Sequence, residues 1–523
     1  MANLKSLVKD TAIYGLSSIV GRFLNYLLVP IYTAKLAASG GGYGVITNIY
    51  AYVALLFVLL TFGMETTFFR FANKEGENPQ RVYFTVLMLV GTVGLLFVAL
   101  VLAFITPISA AIGYSDHPSY VWVMALTVAI DAFQSIPFAY LRYKKRPIKF
   151  AALKMLFIVM NIALNLFFFV VLPEINGKPA DVGFAFYINL FCTATVMLAF
   201  YGELKDAFCF SRGSDSFELS EFSENSKHSE IYNYTEHSGN FHSSFFILHS
   251  SLIKRMFAYS WPILVLGIAG ILNQTADKIL FPYIYKGPDA HAQLGIYGAA
   301  SKIAMIMAMI TQAFRYAYEP FVFGKARDKD NRETYAKAMK YFIIFTLLAF
   351  LVVMGYISLL RHIIGRDYWV GLDVVPIVMV AEIMMGIYFN LSFWYKLTDR
   401  TIWGAWFSGI GCAVLIVVNV IFVPSYGYMA CAWAGVAGYG TAMTLSYLVG
   451  QKKYPIDYPL ADISRYVVLA AVLFFGMRAG GTVLSVWASV AVNTLLIALF
   501  MAYTVHRDFP LSGLPVVGRY FKR

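Results

Sequence analysis

The chain has 523 residues, 59% of them hydrophobic and only 13% charged, and its mean hydropathy is +0.66. A soluble domain of that size carries about a quarter charged residues, so an ordinary water-soluble fold is excluded. The net charge of +12 would suit nucleic acid, but the placement of the charges rules that partner out, as the loop count below makes plain.

The opening MANLKSLVKDTAIYGLSSIVGRF lacks a small-residue cleavage site after a short apolar core. It reads as the lead into a first span and not as a removable signal. Apolar runs of about 20 residues, the length a helix needs to cross a bilayer, then recur to the end of the chain. They predict fourteen spans near 12–34, 43–69, 82–106, 119–141, 150–172, 182–204, 257–282, 292–318, 341–361, 371–395, 402–423, 428–449, 463–478 and 482–505. The last pair is the weakest, so twelve or thirteen spans are the alternatives. Many of the 36 Tyr and 8 Trp fall near span ends, where aromatic side chains anchor at the interface. The four cysteines, Cys192, Cys209, Cys412 and Cys431, are too scattered for a disulfide framework or a metal cage.

With a cytoplasmic N-terminus, 30 Lys and Arg fall on the cytoplasmic side of these spans. The opposite side holds six: Lys35, Lys178, Lys286, Arg361, Arg366 and Arg478. Five more, Arg22, Lys154, Lys278, Lys302 and Arg315, lie within spans. The bias follows the positive-inside rule, places both termini in the cytoplasm and accounts for the basic character without nucleic acid.

One stretch breaks the pattern. Residues 206–254 are Ser-rich and polar, hold four of the eight histidines (His228, His237, His242 and His249) and show no metal-ligand spacing. They predict a flexible cytoplasmic linker. Four parts result: a first bundle of six spans over 1–205, the linker 206–254, a second bundle over 255–450, and two further spans with a tail over 451–523. The two bundles echo each other at an offset close to 252 residues. Leu27–Tyr32 (LLVPIY) answers Ile279–Ile284 (ILFPYI), Tyr43-Gly44-Val45 answers Leu294-Gly295-Ile296, and Glu65 with FFRFANK answers Glu319 with PFVFGKA. Six spans per half keep equivalent helices in one orientation, a parallel repeat about an axis normal to the membrane with a site between the halves.

The segments GLSSIVGRFLNYLLVPIY, YGVITNIYAYVALLFVLLTFGMETTFFRFANK and YSWPILVLGIAGILNQTADKILFPYI resemble bacterial polysaccharide flippases. Those belong to the multidrug/oligosaccharidyl-lipid/polysaccharide exporter superfamily, which also holds MATE-type drug exporters and the lipid II flippase. The resemblance covers nearly the whole chain outside 206–254, a segment that departs from the family's shorter, more basic connection. It implies an all-α polytopic membrane protein, two six-helix bundles in a V with two C-terminal helices alongside the second. It also implies an inner-membrane location and export of undecaprenyl-pyrophosphate-linked oligosaccharide by alternating access. H+ or Na+ would be the coupling ion, and membrane lipids, a polysaccharide polymerase and glycosyltransferases the partners. No cofactor is implied.

Ionisable side chains at mid-bilayer cost several kcal/mol unless they face a cavity or a partner, so depth ranks the candidates. Arg22 lies roughly 15 Å into span one, with Asn25 and Tyr26 on its face. Lys302 is similarly deep in span eight. Two cations converging from the two halves would suit a pyrophosphate. Asp131 in span four and Glu382 in span ten are the mid-depth carboxylates. They would exchange protons or bind sodium, or neutralise the two cations, or both. Asn161 and Asn165 share a face of span five with Lys154, where they would bond sugar hydroxyls or bridge helices. Span seven offers Asn273 and Asp277 on one diagonal and Gln274 and Lys278 on the next, nearer the outer end, which suits a gate or rim. Asn273 joins the cavity set and Asp277 the ion-coupling set. Glu65, Arg70, Arg315 and Glu319 near the cytoplasmic ends read as snorkelling or rim ion pairs, or as a funnel for an anionic headgroup.

Three other functions compete. A cation-coupled multidrug exporter of the same fold would favour acidic residues over the mid-depth cations seen here. A membrane-embedded glycosyltransferase or polymerase would need a sizeable outer loop and a nucleophile–base pair, a phosphate-cradling loop or a metal cluster, and the sequence offers none of these, so the chain is read as no enzyme. Scattered charges of both signs do not form the ring of a channel filter.

Overall fold

A computed structural model of the chain describes residues 26–74, 76–207, 250–324, 331–398 and 400–508. Among these residues the regular structure is entirely helical. In hydrocarbon a backbone N–H or C=O has no water to bond, so a spanning segment must satisfy its own polar groups, as a helix does.

The long helices are α1 Gly42–Thr61, α2 Pro79–Ala103, α3 Pro118–Tyr143, α4 Pro147–Leu166, α5 Gly183–Leu198, α6 Ser250–Ile284, α7 Ala290–Gly324, α8 Asn331–Gly355, α9 Val374–Leu391, α10 Ile402–Tyr426, α11 Tyr428–Lys453, α12 Leu460–Val483 and α13 Val486–Asp508. By length and apolarity, 11 stretches among the described residues can cross a membrane, or 12 if α5 and Tyr201–Ala207, bent by 55°, form one span. The expected span at 428–449 is present as α11, whose Gly, Ser, Thr and Tyr content holds it outside that set. The expected first span is described only from Tyr26 onward. Of the stretch 206–254 expected as a linker, residues 206–207 and 250–254 are helical, and residues 208–249 lie outside the described part.

Helix starts follow local chemistry. Pro opens α2, α3 and α4, where its missing N–H costs nothing and its fixed φ suits the first turn. Asn78 caps α2 by accepting from the Gln80 N–H. After α1, Phe62 and Gly63 both take positive φ, which breaks the helix before Met64–Ala72 resumes it. Beyond α4 the chain continues as a π-helical turn, Phe167–Val171, just after Asn165.

The described residues pack as two units. Unit 1 takes in Ile49–Ile271. Its core centres on the stacked rings of Tyr83 and Tyr140, 4.0 Å apart, with Phe68 edge-on to Tyr83. Unit 2 takes in Tyr26–Asn48 and the chain from Leu272 onward. The close pairing of α10 with α11 rests on Gly411 and Gly438, where an added Cβ would meet the other helix's backbone oxygen at 2.7 and 2.9 Å. Small residues at such crossings let helix backbones approach closely. The C-terminal pair α12 and α13 packs against α8, pinned by Lys340, which donates to Asp462 at 3.2 Å and to Asp508.

The segment Tyr26–Asn48, early in the chain, is held within unit 2 by polar bonds. Gly365 N–H donates to Thr33 Oγ1 at 2.9 Å, Tyr368 O–H to the Leu36 carbonyl at 2.8 Å, and Asn48 Nδ2 to the Lys278 carbonyl at 2.7 Å. Gly44 and Gly295, partners in the sequence repeat, lie backbone against backbone. A Cβ on Gly44 would run into the His291 carbonyl oxygen, and one on Gly295 would stand 2.9 Å from the Gly44 nitrogen.

Gly44→Val should therefore force these helix starts apart and lower stability by about 1–3 kcal/mol, the usual cost of overpacking. Gly40→Val, facing open space, should cost far less. Thermal unfolding in detergent compares the two; equal melting temperatures would refute the close-approach role of Gly44.

Candidate functional site

Three ionisable residues sit near the middle of their spans: Asp131 in Pro118–Tyr143, Lys302 in Ala290–Arg315 and Glu382 in Arg366–Leu397. Each belongs to one unit, and the surroundings of each differ.

In unit 1, Asp131 accepts from Thr193 Oγ1 at 3.1 Å and lies near enough to Lys154 for their charges to act on each other. The Lys154 ammonium stands 4.0 Å from the Phe138 ring centroid, a cation–π contact that offsets part of its desolvation. Gln134 on α3 donates to the Thr193 carbonyl on α5 at 2.7 Å, so the two helices flanking Asp131 are tied by side chains. Asn161 and Asn165 are buried. Asn165 donates to the Asn161 backbone carbonyl at 2.8 Å and to its Oδ1 at 3.1 Å.

In unit 2 the polar groups are denser. Lys278 is the hub. Its ammonium donates to both Asp277 carboxylate oxygens at 3.1 Å and to the Gln274 carbonyl at 2.8 Å, and it lies 5.4 Å from the Tyr297 ring centroid. Tyr297 O–H in turn donates to Asp277 Oδ2 at 2.6 Å. Asp277 is 8% exposed on its side chain, so this saturation is what a buried carboxylate requires. Asn273 Nδ2 donates to the Ser408 carbonyl at 3.1 Å and to its Oγ at 3.2 Å, while Tyr439 O–H donates to the Asn273 carbonyl at 3.1 Å.

Lys302 and Glu382 are the exceptions. Helices α7 and α9, which carry them, pack against each other, and the Lys278 charge acts on both, repelling the first and attracting the second. Yet Lys302 makes no hydrogen bond or ion pair among the described residues, and Glu382 Oε2 is buried with no hydrogen-bond partner. Buried polar groups in folded proteins are nearly always satisfied, which makes Glu382 Oε2 an exception; Lys302 is half-buried and unpaired. A cation and a carboxylate left bare at mid-span, beside a saturated Asp277–Lys278–Tyr297 cluster, are chemically equipped to take an anion and to bind or release a proton or metal cation.

The other sequence-selected residues are dispersed. Arg22 and Asn25 lie outside the described residues, as does the side chain of Glu319. Glu65 pairs with Arg142 in unit 1, and Arg70 stands 4.2 Å from the Tyr259 ring centroid. Arg315 lies 5.1 Å from the Phe389 ring centroid. Lys278, expected by span depth at a gate or rim, also exerts its charge on both mid-span residues of its unit. Sequence reasoning missed Tyr297, Tyr439, Ser408 and Thr193, because Tyr in an apolar helix reads as an interfacial anchor and Ser or Thr as filler. No spacing rule marks a hydroxyl that points at a carboxylate on another helix.

No family model matches the chain, and no curated protein matches it in sequence. Solved structures do match its fold. A lipid II flippase, MurJ, in an inward closed conformation superposes with a TM-score of 0.65 at 14% identity, covering 94% of this chain and 98% of that one. A multidrug resistance MATE family transporter of the MOP superfamily, inward-facing, gives 0.61 at 14% identity over 85% and 94%. The MATE multidrug transporter DinF-BH gives 0.54 at 16% identity over 84% and 96%. The chain thus shares the helical fold of MOP-superfamily transporters.

Tyr297→Phe should remove the neutral donor to Asp277 and destabilise the protein by about 1–3 kcal/mol. The same change in an Asp277→Asn background should cost less, since no buried carboxylate then loses its partner. Melting temperatures of the four proteins in one detergent give the coupling; strict additivity would remove Tyr297 from the cluster.

Proposed function

We propose that this protein is a flippase that carries undecaprenyl-pyrophosphate-linked oligosaccharide across the bacterial inner membrane by ion-coupled alternating access, for surface polysaccharide biosynthesis. The observation that carries this reading is Lys302, a mid-span ammonium without a hydrogen bond or ion pair among the described residues, in a unit where Lys278 is already engaged by Asp277. An anionic cargo gives such a cation the partner that hydrocarbon withholds, and a pyrophosphate offers several charge-accepting oxygens. Arg22 and Asn25 from the first span, with Asn161, Asn165 and Asn273, complete the proposed cargo set. The shared fold with a protein described as a lipid II flippase supports the lipid-linked class.

Coupling is assigned to the carboxylates Asp131, Glu382 and Asp277, with protons or sodium as the ion. Lys278, Glu65, Arg70, Arg315 and Glu319 are assigned to gating and to the rim. The division into 1–205, 206–254, 255–450 and 451–523, both termini in the cytoplasm, and the polymerase and glycosyltransferases as partners belong to the same proposal. A second reading, a cation-coupled multidrug exporter, is favoured by one observation: Glu382, an under-satisfied carboxylate that would take a cationic drug as readily as a proton. The MATE fold likeness is compatible with it.

Deleting the gene should trap undecaprenyl-linked oligosaccharide in the cytoplasmic leaflet, and a plasmid copy should clear it. Lys302→Ala in that copy should leave protein abundance intact and abolish surface polysaccharide, with the trapped lipid persisting. Normal polysaccharide from both Lys302→Ala and Arg22→Ala would defeat the cationic site. Drug resistance on overexpression, without lipid trapping on deletion, would establish the exporter instead.

A further inference from the structure

One end of unit 2 holds a cavity that the transport reading does not use. It measures about 270 Å³ and lies among the end of α8, the short α-helical turn Ile357–Leu360 and the 3-10 turns that follow it, and the adjoining ends of α12 and α13. Its apolar side is Phe474 and Met477, its polar side Arg361, Arg478, Asp373 and Asn493.

The two arginines are in different states. Arg478 is engaged by Asp373 at 2.7 Å. Arg361 is held against Trp369, 4.3 Å from the ring centroid, and Trp369 Nε1 donates back to the Arg361 carbonyl at 2.8 Å. That clamp fixes the guanidinium while leaving its donors unspent, since Arg361 makes no side-chain hydrogen bond or ion pair among the described residues and its Nε is buried without a partner. Also lining it, Asn493 is 7% exposed; its Nδ2 donates to the Gly355 carbonyl at 2.9 Å, and its Oδ1 is buried with no donor. The cavity therefore presents two polar groups that no described side chain engages: the Arg361 guanidinium, a donor suited to an anion, and Asn493 Oδ1, an acceptor suited to a hydroxyl or amine.

Its position narrows the occupant. The helix ends around it carry exposed Val483 and Trp487, and tryptophan collects at the boundary between hydrocarbon and headgroups. A ligand that presents a phosphate and a hydroxyl or amine at that depth, above an apolar wall, is a phospholipid. We infer that this cavity is a headgroup site for a phospholipid of the adjoining leaflet, with Arg361 on the phosphate, Asn493 Oδ1 on a headgroup donor, and the upper acyl chain along Phe474 and Met477. Arginine forks suit phosphate oxygens. A lipid wedged there would also brace α12 and α13 against α8 at the end opposite the Lys340 clamp.

Delipidated full-length protein in detergent is titrated with phosphatidylglycerol, phosphatidylcholine and glycerol 1-phosphate, and retained ligand is counted by native mass spectrometry. Phosphatidylcholine carries the phosphate but no headgroup donor, and glycerol 1-phosphate carries the headgroup without chains. One phosphatidylglycerol should be held about tenfold more tightly than phosphatidylcholine, and Arg361→Ala should weaken it by at least that factor. Gly481→Leu fills the cavity from α12, at a position where an added Cβ meets only Ser489 Oγ at 3.8 Å; it should displace the lipid without touching the guanidinium, and serves if Arg361→Ala fails to fold. Unchanged retention in the folded variants, or equal retention of the two lipids, overturns the site. Glycerol 1-phosphate bound as tightly as phosphatidylglycerol overturns its lipid nature.

Discussion

Hydrocarbon neither bonds a backbone amide nor solvates a charge, and every level of this protein answers to that refusal. It makes each spanning segment a helix, because a helix satisfies its own backbone without water. It removes the hydrophobic drive for helices to associate, so the contacts between them rest on close approach and on polar bonds. Gly411 against Gly438 and Gly44 against Gly295 are the first kind. Gln134 to Thr193 and Asn273 to Ser408 are the second.

The same constraint gives a charged residue meaning according to what its neighbours offer it. Asp277 receives two donors, Lys278 and Tyr297, and is thereby made compatible with burial. Asp131 receives Thr193 and the field of Lys154. Lys302 and Glu382 receive much less, although their helices pack together and both feel the same lysine. Neutralising one another by direct contact would have been the simple solution, and the structure does not adopt it. On the transport reading that restraint is the point, because a pair already locked together would have nothing left to offer a cargo or an ion.

Much of this was legible in the sequence, and the reason is length scale. Span positions follow from a property averaged over about 20 residues, which local error barely moves, and most expected spans reappear as helices. The boundaries moved where a span was amphiphilic: α6 starts at Ser250, inside a stretch whose Ser content suggested a loop, and α11 is a full helix despite its diluted hydropathy. Depth likewise singled out Asp131, Lys302 and Glu382, since distance from a helix end is a one-dimensional quantity. What depth cannot give is the partner. That Tyr297 would donate to Asp277 and Thr193 to Asp131 depends on the rotation and crossing of helices.

Chain order and packing order part company in one further respect. Tyr26–Asn48 lies among the early spans, yet it packs with helices that begin more than 220 residues later. Its bonds with Gly365, Tyr368 and Lys278 each use a backbone group on one side of the pair, so they depend on the path of the chain as much as on any particular side chain. The sequence repeat runs through the same place. Gly44 answers Gly295 at the common offset, and the two repeat partners meet each other, backbone to backbone, within unit 2. A glycine at both members of the pair is then a single requirement counted twice, because either Cβ would enter the space the other backbone occupies. The echo that looked like a record of duplicated helices is, at this point, also a contact, and the contact gives a physical reason for both glycines that holds whether or not the halves share an origin. The segment so anchored ends at Asn48, whose side chain bonds the carbonyl of Lys278. The backbone of the residue at the centre of the polar cluster is thus tied to an early segment of the chain, while its ammonium serves Asp277, and a change in either tie bears on the other through one residue.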